Sequence, residues 1–195
     1  MSFCFYEEGV IVIRDKYSFL IISSLFPVVN LLICILDENF LVNVINPNWM
    51  IREFVRLSFA AVAEELFFRG LVLRELVFSY RWQSIRVSLI VSLVFGVLHL
   101  LNVNSYATWS YAIVQSICAF AVSFNLCAIF IKTKSLLWCV IIHALINITS
   151  IGVDCGVNRQ HLLLSNLESI IFLSVSFIYL VNSIKMLNSE IVEGK

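Results

Sequence analysis

The sequence predicts an all-α, polytopic transmembrane bundle of about six spans, with an active site in the bundle interior. Three observations carry this. The chain has 195 residues, of which 61% are hydrophobic, and its mean hydropathy of +0.96 lies far above that of soluble domains. Apolar runs near 17–36, 54–78, 87–103, 109–131, 135–153 and 162–184 approach the roughly 20 residues that carry a helix across a hydrocarbon core. Only the second run is interrupted by several charges, Glu64, Glu65 and Arg69.

The elements follow in chain order. The first run is preceded by Glu7 and Glu8, where a secretory signal would carry basic residues, and no small-residue cleavage pattern follows it, so it reads as a retained anchor. Asp37–Glu53, with Asn46-Pro47-Asn48, reads as a turn-rich connection to the second span. Lys132-Thr133-Lys134 separates the fourth span from the fifth, and Asp154-Cys155-Gly156 the fifth from the sixth. No repeat or linker divides the chain, so residues 1–195 form one integral-membrane domain. With an even number of spans and a cytoplasmic N-terminus, Arg14, Lys16, Arg74, Arg81, Arg86, Lys132, Lys134, Lys185 and Lys195 fall inside, and Arg52, Arg56 and Arg159 outside. The positive-inside rule favours that arrangement, with both termini cytoplasmic.

Lys plus Arg and Asp plus Glu are equal at 13 each. No overall field recruits nucleic acid, and no basic block marks a polybasic anchor. Four of the six cysteines, Cys34, Cys118, Cys127 and Cys139, lie in spans without a C-x-x-C pair. They read as small buried apolar residues and not as a disulfide framework or zinc ribbon.

A charge inside a span costs about 2.5–3.5 kcal/mol on insertion scales, so it faces a protein-lined or watery cavity. Glu65 and Arg69 are four residues apart with the acid N-terminal, the favourable order for an ion pair on one helix face. Glu64 is rotated about 100° from Glu65. Its carboxylate has no partner in its own helix, which makes it the candidate general base. The third span carries Phe95 and His99, and the fifth His143 and Asn147, again four apart. His143 and Asn147 share a face, so imidazole and carboxamide could both donate to one developing oxyanion. His99 could orient the water that Glu64 activates. Asn102, Asn104 and His161 receive no role.

The succession Glu64-Glu65-x-x-x-Arg69, Phe95-x-x-x-His99 and His143-x-x-x-Asn147 resembles the three signature motifs of the CPBP family of intramembrane proteases. That family groups type II CAAX prenyl endopeptidases with bacteriocin-processing and bacteriocin-immunity proteins. The motifs occupy residues within 55–150. The resemblance implies an intramembrane endopeptidase in which Glu64, helped by His99, activates water. His143 and Asn147 would stabilise the oxyanion, and Glu65 would pair with Arg69 to hold the motif helix. Phe95 would pack beside His99.

Members of the family have been described both as glutamate proteases and as metalloproteases. A metal-free mechanism is favoured here. The alternative is a zinc site with Glu64, His99 and His143 as a two-histidine, one-carboxylate set. The expected partners are membrane lipid and a membrane-associated peptide or protein substrate. Usage heavy in Ile, Asn, Phe and Ser leans towards a bacterial source and its plasma membrane. Two other classes keep the same residues: a non-catalytic immunity protein that sequesters a toxin, and a small proton-coupled transporter.

Overall fold

The computed structural model describes residues 19–36, 47–102, 109–156 and 166–193. The basic residues Arg14, Lys16, Arg159 and Lys195, the acids Glu7 and Glu8, connection residues 37–46, Asn104 and His161 lie outside the described residues.

Among the described residues the chain is helical throughout, without strands. Helix α1 (Leu25–Leu36) is continued N-terminally by residues 19–23 through a turn at Ser24. Helix α2 (Pro47–Glu65) passes into two π-helical stretches, Leu66–Leu73 and Glu75–Ser79. Then come α3 (Ser84–His99), a 3-10 turn at Leu100–Asn102, α4 (Trp109–Thr133), α5 (Leu136–Gly156) and α6 (Asn166–Glu193). Helix α4 is the centre: α3 and α6 pack against it most extensively, while α5 packs against α1 and α2.

Two boundaries correct the sequence reading. Residues 47–53, expected in the connection, are the opening turns of α2. Pro47 stands at the first helical position, where its fixed φ suits a helix and its missing N–H costs nothing. Asp154-Cys155-Gly156, expected as a break, is the last turn of α5, because helix propagation continues until something stops it and a glycine at the end is tolerated there. The Lys132–Lys134 break is present: Lys134 takes a left-handed conformation with φ 56° between α4 and α5.

Among the described residues two helices, Trp109–Thr133 and Glu168–Asn188, are long and apolar enough to cross a membrane; Phe19–Ile35, Ser84–His99 and Leu136–Ser150 are shorter apolar helices. Ile35, Phe59, Leu93, Leu137 and Phe177 all point outward, a surface suited to acyl chains and costly in water. Polar side chains turn inward instead. Asn125 donates to Ser23 at 2.9 Å, Tyr179 donates to the Ser23 carbonyl at 2.6 Å, and Ser183 donates to Asn125 at 3.3 Å. These bonds tie α4, α6 and the N-terminal helix together where no water competes.

Gly96 sets the spacing of α3 and α4. A Cβ there would stand 2.9 Å from both the Phe120 Cβ and the Ser116 carbonyl oxygen. Without one the helices close up, and Ser116 donates a 2.7 Å bond to the Gly96 carbonyl. That approach positions Phe95 and His99, the neighbouring turn of α3, against the site.

Candidate active site

The site begins where α2 changes register. Glu65 closes the α-helical part of the second element and Arg69 lies in the π-helical part, whose backbone bonds reach five residues, as from the Arg74 N–H to the Arg69 carbonyl. Such wide turns are rare and concentrate at functional sites. The side chain of Leu136, from the start of α5, lies 3.5 Å from where a Cβ of Gly70 would be, so α5 packs directly on this turn.

Glu65 and Arg69 are fully buried and paired, Nη1 to Oε1 at 2.9 Å. Arg69 Nη2 also donates to Ser123 of α4, to its carbonyl at 3.0 Å and its hydroxyl at 2.8 Å, and the guanidinium carbon lies 5.3 Å from the centre of the Phe95 ring. The arginine thus joins the motif helix to α3 and α4. His143 of α5 completes the cluster: its Nδ1 meets Glu65 Oε1 at 2.7 Å, and its ring stands edge-on to Phe95 with centroids 5.9 Å apart. An ionised carboxylate only accepts, so His143 donates through Nδ1 and presents Nε2 to the other side. There Glu64 Oε2 lies 3.6 Å away.

Glu64 differs from its neighbour as the helical rotation requires. Its side chain is 37% exposed while that of Glu65 is 0% exposed. His99 sits at the end of α3 with Nδ1 2.9 Å from the Phe95 carbonyl; because a carbonyl only accepts, Nδ1 carries the proton and Nε2 is left available. Asn147 donates a long 3.4 Å bond to the Leu57 carbonyl of α2.

A cavity of about 190 Å³ is lined by His99, His143 and Asn147 among others, and Glu64 reaches it through His143 and is not itself part of the lining. The structure therefore brings Glu64, Glu65, Arg69 and His143 into one contact chain and places His99 and Asn147 on the same cavity. Glu64, His99 and His143 do not converge as a ligand set: among the described residues no three His, Cys, Asp or Glu side chains gather in a way that could hold a metal ion.

Three residues escaped the sequence reading. Ser123 holds Arg69, Gln115 lines the cavity from α4, and Asn30 lines it from α1 while donating to Thr149 of α5 at 3.1 Å. Each is a polar side chain inside an apolar run, the same signal that exposed the histidines, but none belongs to the three motifs that singled out the site.

A helical membrane protein with a buried acid–guanidinium–imidazole cluster beside a cavity is the class that fold and site define. The family model described as type II CAAX prenyl endopeptidase Rce1-like matches residues 46–149, which contain every residue of that cluster. The chain belongs to this family, and with it to the membrane-embedded CAAX-type endopeptidases. No curated protein and no solved structure matches it.

Proposed function

We propose that the protein is a six-span endopeptidase, with both termini cytoplasmic, that cleaves a peptide bond of a membrane-associated protein or peptide by a glutamate mechanism. The observation that carries this is the 3.6 Å approach of Glu64 Oε2 to His143 Nε2, beside a cavity shared with His99 and Asn147. Glu64 takes a proton from a water molecule as its oxygen attacks the peptide carbonyl, and returns that proton to the departing amine nitrogen. His99, its Nδ1–H committed to the Phe95 carbonyl, accepts a hydrogen bond from the same water at Nε2. His143 and Asn147 stabilise the oxyanion. With Nδ1 held by Glu65, His143 turns Nε2 towards the reacting carbonyl, and Asn147 exchanges its long bond to Leu57 for one to the substrate. General base and oxyanion donors each contribute about 10²-fold or more, and amide hydrolysis requires both.

The family description suggests a CAAX-type substrate, a peptide at the end of a lipid-modified chain. The cavity suits an extended segment with apolar side chains, since Phe26, Val114, Val122, Ile146 and Phe172 also line it.

The test uses purified full-length protein in liposomes with a library of membrane-anchored peptides, comparing wild type with Glu64→Ala, each with and without a chelator. Cleavage by wild type in chelator and none by the variant supports the mechanism. Undiminished cleavage by Glu64→Ala overturns it. Loss on chelation with recovery in zinc moves Glu64, His99 and His143 to a metal site, for which the side chains would have to converge.

A further inference from the structure

A second recess, of about 410 Å³, opens where α4 gives way to α5 and is lined by Gly70, Arg74, Phe78, Phe130, Lys134 and Leu136. Two of these residues are cations and none is an acid. Arg74 has no ion pair among the described residues and is exposed. Lys134 is held towards the recess by its backbone. Its φ of 56° is a left-handed conformation that side chains rarely adopt, and its N–H closes α4 with a 2.8 Å bond to the Phe130 carbonyl. From there the ammonium lies 4.3 Å from the centre of the Phe78 ring. Phe78, Phe130 and Leu136 make the remaining wall apolar.

Two positive groups of different geometry facing one half-open recess with apolar walls match a single chemistry. A guanidinium binds two oxygens of a phosphate in parallel, and an ammonium adds a compact charge from another direction. In the topology proposed above, Arg74 and Lys134 lie on the same, cytoplasmic side of the membrane, at span ends where phosphate headgroups lie. We propose that this recess binds a phosphate-bearing anion between Arg74 and Lys134, supplied by an anionic lipid headgroup whose glycerol and upper acyl carbons rest on Phe78, Phe130 and Leu136. The site is independent of the proteolytic assignment.

Purified full-length protein in a neutral detergent is titrated with short-chain phosphatidylglycerol, short-chain phosphatidylcholine or inorganic phosphate, and its melting temperature is followed. The expected result is a saturable rise with phosphatidylglycerol and none with phosphatidylcholine at equal concentration. Half-saturation should move about tenfold higher in Arg74→Gln/Lys134→Gln but stay in place for Lys185→Gln, an exposed cation on α6. Arg74→Lys keeps the charge and removes the paired donors, so it gives an intermediate value and guards against a misfolded double variant. A rise of the same size with inorganic phosphate alone upholds the phosphate chemistry and assigns a soluble source. A response retained by the double variant, or equally weakened in Lys185→Gln, overturns the site.

Discussion

His143 reaches across from α5 to donate a 2.7 Å hydrogen bond to Glu65, on the same oxygen that accepts Arg69 at 2.9 Å. One carboxylate therefore fixes both the motif helix and the direction in which the imidazole faces Glu64. Glu65→Gln leaves a fully buried guanidinium without its counter-charge, which costs about 3–5 kcal/mol. We expect a strongly lowered melting temperature in detergent together with lost cleavage. A variant that melts like wild type would show that the buried pair does not hold the fold.

Glu64→Gln separates chemistry from structure. Glu64 is more than a third exposed and forms no close ion pair within its helix, so melting should hardly change. Cleavage should fall by about 10²–10⁴ as the base is lost. The same variant in a toxin-protection assay discriminates a sequestering immunity protein, whose binding should survive a nearly isosteric change.

Ser123→Ala removes one of the two bonds that α4 gives Arg69 and leaves the backbone carbonyl at 3.0 Å. A hydrogen bond to a charged group is worth about 1.5–3 kcal/mol, so stability should drop by an amount near the lower end. Ser123 is a positioning residue: Ser123→Thr, which retains the hydroxyl, should restore kcat if its role is to aim Arg69 and Glu65.

Gly96→Ala drives a methyl group against Phe120 and the Ser116 carbonyl at 2.9 Å. Overpacking of this kind costs about 1–3 kcal/mol. Forcing α3 away from α4 also displaces His99, so kcat should fall with stability. Gly70→Ala is the control, because its nearest contact at 3.5 Å is ordinary; equal damage from both would contradict a packing origin.

Gln115→Leu tests the cavity as the substrate-binding surface. Gln115 lines the same cavity as the histidines, so loss of its carboxamide should raise KM for peptides severalfold with a smaller change in kcat. Unchanged kinetics would place the substrate elsewhere.

The helical class and the pairing of Glu65 with Arg69 were legible in the residues, because hydropathy and i, i+4 spacing are local properties of one helix. So was the divergence of the two adjacent acids, since a rotation of about 100° per residue separates them, though not that Glu64 would stay partly exposed. Pro47 misled the reading: the residue type is shared by turns and first helical positions, and only the finished helix distinguishes the two.

Partnerships between elements had to await the assembled bundle. Nothing in the sequence says that His143 rather than a second arginine completes Glu65, that Ser123 holds Arg69, or that α2 widens to a π-helix at Leu66. The sequence by itself determined which residues a lipid-bound helix must hide, because transfer free energies act on each side chain alone. The tertiary structure decided which hidden groups meet, because the close approach of α3 and α4 at Gly96 and the packing of α5 on α2 depend on side-chain shape across different helices.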